Sequence, residues 1–342
     1  MDKVSKLIKN NYRFQNTICI IVLILISLSV YANSLHGDFL IDDRPSILED
    51  TRIHNLNEYT SKYLKVTEIG FFSGLSTAIY WHFFGDNPFG YHLLSVIFHA
   101  ICVILVFFLC NQLFNNRFLS FLASLIFAVH PIHTEAVSWI SGRFYVIQSI
   151  FYLLSFICYI KSEKKPFWFL FSLFFMFSGL VLVGGNFMIS LPIMFISYEL
   201  LFKSKSQDKN RGLKIFFISL ILAIFAIIGL MYLLNRLNLT LTIYKFRGFS
   251  YLIVILKAFL YYLKILYLPL KRGLFHTFAY SDPSIDKINL VFFSSILSLG
   301  LIIYCLFKFR NKIKPVSFGI MWFLVVFLPF SNILVVLILI AF

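Results

Sequence analysis

Two carboxylates stand side by side at Asp42 and Asp43, in the segment Gly37-Asp38-Phe39-Leu40-Ile41-Asp42-Asp43-Arg44, a few residues beyond a long apolar stretch. Neighbouring carboxylates tune each other's ionisation, so one can accept a proton while its neighbour or a metal ion sets its charge state. The same pair is also an ordinary turn or capping element, and its spacing alone does not separate the two readings. A second segment, His130-Pro131-Ile132-His133-Thr134-Glu135 through Ser141-Gly142-Arg143, gathers two imidazoles, a carboxylate and a guanidinium. Pro131 disfavours the regular helix that would set both imidazoles on one face as zinc ligands. Arg143 offers a planar fork suited to a phosphate, or it pairs structurally with Glu135. A third segment, Lys271-Arg272-Gly273-Leu274-Phe275-His276, holds two cations that serve either a phosphate or, by reaching to the headgroups, the lipid surface.

The elements that must position these groups are membrane helices. A spanning helix needs about 20 largely apolar residues, and such stretches recur from residue 17 to the C-terminus. The pattern places helices near 17–33, 91–113, 118–130, 144–160, 167–183, 187–202, 213–234, 251–270, 288–308 and 316–340, hence about 9–11 crossings in one all-α domain spanning 1–342. Lys and Arg collect in short runs at 3–13, 161–165, 203–214 and 308–314, which marks those turns as cytoplasmic. An even number of crossings between 212 and 271 is then required. Residues 34–88 fall on the opposite side as an external loop, which holds eight of the chain's fifteen acidic residues, and residues 130–143 face the same side. No soluble repeat domain is expected within the chain.

Composition narrows the class further. Of 342 residues, 60% are hydrophobic and 13% charged, against roughly 25% charged in an ordinary soluble domain. The net charge of +15 lies in the inter-helix turns and forms no basic stripe interleaved with exposed aromatics, so a nucleic-acid partner is excluded. The five cysteines (Cys19, Cys102, Cys110, Cys158, Cys305) all lie in apolar segments without metal or disulfide spacing, and are read as packing residues.

Taken in order, Tyr31-Ala32-Asn33-Ser34-Leu35 through Asp42-Asp43, Asn87-Pro88-Phe89-Gly90-Tyr91-His92-Leu93 with His99, His130-Pro131-Ile132-His133-Thr134-Glu135-Ala136-Val137 and Ser141-Gly142-Arg143 closely resemble the membrane half of the tetratricopeptide-repeat O-mannosyltransferases. Tyr262 to Leu270 and Trp322 to Asn332 are similar to that family's closing segments. The chain departs from the pattern at Gly74-Leu75-Ser76, Val183 to Asn186 and Phe144-Tyr145, where the family commonly carries charge, and it lacks the segment that follows Ser-Asn.

The resemblance implies a GT-C fold with a catalytic acidic loop after the first helix and a polyprenyl-phosphate sugar as donor. Asp42 or Asp43 would deprotonate an acceptor hydroxyl on a protein or glycan, the sugar would invert at C1, and the lipid phosphate would leave into a basic pocket. The groups expected to hold substrate are Arg44, His130, His133, Glu135, Arg143, Lys271, Arg272 and His276. No cofactor is required, and the Asp pair is compatible with a divalent cation or with none. The setting is the lipid bilayer of a bacterial inner membrane or of the endoplasmic reticulum, with the site on the periplasmic or lumenal face. Two other classes stay open: an inactive relative serving as a membrane scaffold, and a lipid-linked sugar transporter.

Overall fold

The computed structural model describes residues 2–63, 71–183, 188, 190–202, 212, 215–222, 224, 249–269, 290–309 and 312–330. These are helical or connect helices, with no strand among the described residues, and they fall into two units, 1–185 and 186–342.

The first unit opens with α1 (Asp2–Val30) and runs through a series of short helical turns at Ala32–His36, Arg44–Leu48 and Thr51–Ile53. It continues through α2 (Leu56–Tyr63), α3 (Phe71–Phe84), α4 (Pro88–Phe114), α5 (Arg117–Val129), α6 (Thr134–Ser138), α7 (Arg143–Lys161) and α8 (Trp168–Val183). Two of these helices, α4 and α7, are long and apolar enough to cross a bilayer. A third candidate is α5 together with Pro131–Ser138, bent by 45° between them. Shorter apolar helices include Phe14–Val30, Trp168–Val181 and, in the second unit, Leu191–Phe202, Ile296–Phe309 and Lys314–Phe327. The chain is thus an all-α, multi-pass membrane protein.

Helix α4 is central and packs against α1, α3, α5 and α7. Its start is written in the sequence one turn earlier than hydropathy indicates. Asn87 accepts a hydrogen bond from the Phe89 amide at 3.0 Å, and Pro88 occupies the first helical position, where its missing N–H costs nothing. The turn to α5 is equally local: Asn115 takes φ +49, a conformation asparagine tolerates, and Asn116 caps α5 through the Leu119 amide at 3.1 Å. Arg117 then ties α5 to α1 through Asn16 at 2.8 Å. Leu23, Val103, Phe107 and Ala128 form the buried seam of α1, α4 and α5.

Residues 34–88 are more than a loop. Two helices, α2 and α3, lie within them, and Phe39, Ile47, Ile53, Tyr59, Ala78, Tyr91 and Ile140 bury a common apolar cluster there. Burying one such large side chain is worth about 1.5–3 kcal/mol. The exposed Arg52–Asp50 ion pair, at 2.7 Å, contributes about 0–1 kcal/mol, although Arg52 does hold the Asp50 carboxyl below its usual range. Apolar packing therefore holds this cap together.

The second unit contains α9 (Leu191–Phe202), α10 (Phe249–Tyr267), α11 (Leu290–Phe309) and α12 (Lys314–Phe330). Phe259 packs edge-on against Phe327 at 5.5 Å, and Phe202 against Phe318 at 5.6 Å, joining α10 and α9 respectively to α12. The helix expected at 213–234 is described as helical only at 215–222 and 224, and the turn expected at 184–186 lies outside the described residues. All five cysteines are free.

Two outcomes follow. Helix α7 has 19 residues and so extends about 28 Å, close to the roughly 30 Å hydrocarbon thickness. Cysteines introduced at His36 and Glu135 are expected to react with an impermeant maleimide from one side of the membrane, and one at Lys164 from the other; labelling of all three from one side would refute the arrangement. At the α3–α4 corner, a Cβ on Gly90 would meet the Phe84 ring at 2.1 Å. Gly90→Val is expected to lower stability by about 1–3 kcal/mol, the usual cost of overpacking, read as a fall in thermal midpoint in detergent.

Candidate functional site

The chain emerging from α1 turns sharply at Leu40–Asp43, where the Asp43 amide donates to the Leu40 carbonyl at 2.7 Å. Ile41, at the first inner position of this turn, has φ +38, which is strained for a β-branched side chain. Asp42 follows at the second inner position and is exposed. Asp43 is fully buried, with 0% of its surface accessible. The two adjacent carboxylates therefore occupy different environments.

Each Asp43 carboxylate oxygen has its own donor. One accepts the Leu40 amide at 3.0 Å, across the turn. The other accepts both the Ser141 amide, at 2.9 Å, and the Ser141 hydroxyl. A buried carboxylate is costly unless it is hydrogen-bonded, and three donors meet that requirement here. The link brings together the acidic segment and the Ser141-Gly142-Arg143 segment, which the sequence had singled out separately.

Ser141 is presented by the tight passage from α6 to α7. A Cβ on Gly142 would lie 2.6 Å from the Glu135 carbonyl, so only glycine lets the chain pass this close to α6. Arg143 then begins α7 with 1% of its surface exposed. Its guanidinium donates to the Ile140 carbonyl at 2.9 Å and to the Thr77 hydroxyl of α3 at 2.6 Å, and it lies 4.4 Å from the Phe144 ring centre and 5.2 Å from that of Tyr80. Its Nε has no hydrogen-bond partner, and among the described residues it makes no ion pair. Aromatic faces and Thr77 take the place that Glu135 would fill in the alternative reading of Arg143 as a structural partner. Glu135 itself is exposed in the first turn of α6.

The remaining expected groups divide clearly. Arg44 is exposed beside Asp43, at the start of the helical turn 44–48. His130 is half-buried in extended conformation, as a residue before proline should be, and its Nδ1 accepts from the Ile132 amide at 3.1 Å. It acts locally as a cap. His133 is half-buried, with its ring 4.3 Å from Phe127 and 5.4 Å from the buried His99. Lys271, Arg272 and His276 lie outside the described residues. Among the described residues no group of three His, Cys, Asp or Glu is placed to share a metal ion. Sequence reasoning gave no role to Thr77 or Ser141, nor any to the backbone of Ile41; the adjacency of Ser141 to Gly142-Arg143 was the one available signal.

Beside this site lies an apolar cavity of about 470 Å³ between α3, α4 and α7. Its walls include Ile79, Phe98, Ile101 and Phe151, together with Tyr80 and Phe144, the two rings against which the Arg143 guanidinium packs.

No family model matches the chain, and no solved structure matches it. Curated relatives do. The human protein O-mannosyl-transferase TMTC1 is 34% identical over 139 residues, 37% of this chain and 16% of the relative. The Xenopus laevis protein O-mannosyl-transferase tmtc2 is 36% identical over 150 residues, 40% of this chain and 18% of the relative. The human protein O-mannosyl-transferase TMTC3 is 46% identical over 77 residues, 22% of this chain and 8% of the relative. The matches thus span 16%, 18% and 8% of these relatives' own lengths. Over part of its length the chain is similar to proteins named as O-mannosyl-transferases.

Proposed function

We propose that this chain is a membrane glycosyltransferase of GT-C type, moving a sugar from a polyprenyl-phosphate donor to a protein hydroxyl on the external face of the membrane. The observation that carries the reading is the division of the carboxylate pair: Asp42 is exposed on a turn whose shape buried Asp43 fixes. In the reaction the acceptor oxygen bonds to C1 of the sugar while the C1–O bond to phosphate breaks. The electron pair leaves with the phosphate, the hydroxyl proton passes to Asp42, and C1 inverts. The relatives' names support a protein acceptor. The apolar cavity beside Arg143 suits the hydrocarbon chain of the donor, since such pockets of about 300–1,000 Å³ take apolar ligands. Exposed Arg44, next to the carboxylate pair in the chain, is the candidate to meet the leaving phosphate, with Lys271, Arg272 and His276 as further candidates.

Arg143 acts in this scheme from behind the site. Its guanidinium is spent on Thr77, Ile140 and two aromatic faces, so it holds α3 against the start of α7 and backs the two rings that line the cavity.

Membranes containing the protein, supplied with radiolabelled sugar on a polyprenyl phosphate and a hydroxyl-bearing peptide, test the reading. Asp42→Asn is expected to cut transfer by roughly 10²–10⁴-fold, the usual contribution of a general base. Asp43→Asn is expected to act differently, lowering thermal stability by about 1–3 kcal/mol because one buried donor is left without an acceptor. Equal and small losses of transfer from both changes would return the pair to a plain turn, and absence of transfer by the unaltered protein would remove the enzymatic reading. Arg143→Ala is expected to lower the thermal midpoint while leaving donor affinity in the surviving folded protein nearly unchanged; a selective loss of donor affinity would instead make Arg143 a phosphate ligand.

A further inference from the structure

The turn that presents Asp42 is not one its own residues favour. Ile41 has φ +38, and its side chain is 56% exposed, so the strained backbone gains little from burying it. Left to local preference, a β-branched residue would return to the extended region and carry Asp42 elsewhere. Something outside the turn must hold it.

Asp43 supplies that hold. Its backbone amide and one carboxylate oxygen close the turn from both sides, bonding the Leu40 carbonyl at 2.7 Å and the Leu40 amide at 3.0 Å. Closing the turn requires the carboxylate to stay in one rotamer and one orientation, and its second oxygen is fixed by Ser141 through both amide and hydroxyl. Phe39, with 3% of its surface exposed, pins the entry to the turn in the apolar cluster. Ser141 lies between buried Ile140 and buried Gly142, so it is itself well fixed.

We infer that Ser141 is a positioning residue of the site: through Asp43 it imposes the strained Leu40–Asp43 turn and thereby fixes where the Asp42 carboxylate points. This rests on the reading of Asp42 as the base. The residue that touches the acceptor is Asp42, and Ser141 acts only through Asp43. Strain of this kind persists where surrounding structure over-determines it, which is common at functional sites.

The test uses the full chain in membranes, with two readouts. In the first, kcat and KM for sugar transfer are compared for Ser141→Ala, Ser141→Thr and the double change Ile41→Gly with Ser141→Ala. Ser141→Ala is expected to lower kcat on the order of tenfold with the acceptor KM nearly unchanged, because a charge-assisted hydrogen bond is lost away from the substrate. Ser141→Thr, which keeps the hydroxyl, should stay within about threefold of the unaltered protein. Adding Ile41→Gly to Ser141→Ala should recover most of the loss, since glycine enters the positive-φ region without being forced. In the second readout, which needs no transferase activity, a cysteine at position 42 (Asp42→Cys) is labelled by an impermeant maleimide. Its rate should change at least threefold on Ser141→Ala and return with Ser141→Thr.

Unchanged kcat and unchanged labelling on Ser141→Ala would overturn the inference, as would a Ser141→Ala defect that Ile41→Gly does not relieve. A protein that transfers no sugar but shows the labelling shifts would lose the catalytic reading while keeping Ser141 as the group that sets position 42. Where Ser141→Ala fails to accumulate, Ser141→Cys, near in size with a weaker donor, carries the same comparisons.

Discussion

Taking a carboxylate out of water is the constraint around which the first unit is arranged. Asp43 lies at 0% exposure with no ion pair among the described residues, and its charge is met by three donors from two distant parts of the chain. Several features that look unrelated in the sequence serve that arrangement. Gly142 allows the chain past α6 so that Ser141 can reach, and the neighbours of the pair in the chain, Phe39 and Ile140, are both buried in one apolar cluster. The burial that makes the bonds strong also makes them necessary.

Arg143 poses the same problem with the opposite sign and solves it differently. A guanidinium is weakly hydrated and delocalised, so two aromatic faces and two hydrogen bonds, together with the nearby charge of Asp43, hold it in its buried place. Phe144 and Tyr80 serve both the guanidinium and the wall of the apolar cavity. The cavity and the cation are therefore mechanically one feature, and a change in either ring alters both.

Much of this was legible in the sequence. Hydropathy placed α7 at 144–160 and the structure has it at 143–161, because an apolar run bounded by Arg143 and Lys161 leaves little freedom. The Asp42-Asp43 and Ser141-Gly142-Arg143 segments were both singled out, and the structure joins them. What was hidden has physical reasons. The stretch 34–88 reads as a loop because it is rich in acidic residues, yet none of them falls within 71–84, which is apolar and forms α3. The start of α4 was missed because its signal is the Asn87-Pro88 cap rather than hydropathy. Which carboxylate of an adjacent pair is buried depends on donors far along the chain, and Arg143's partner depends on how α3 packs; neither is encoded at short range. The alternative that paired Arg143 with Glu135 was reasonable from charge, but Glu135 is exposed.

The bond between Asp43 and Ser141 joins residues 98 positions apart. A chain that enters a bilayer helix by helix as it is made has α1 in place long before the start of α7 exists, and closing so long a loop is slow compared with forming a helix. Until Ser141 arrives, the segment after α1 carries a carboxylate without its donors and an isoleucine free to relax from its strained angle. The Asp42 turn is thus assembled late in synthesis, whatever the order of the helices between, and a nascent chain halted before α7 holds the acidic segment in a relaxed, unset form.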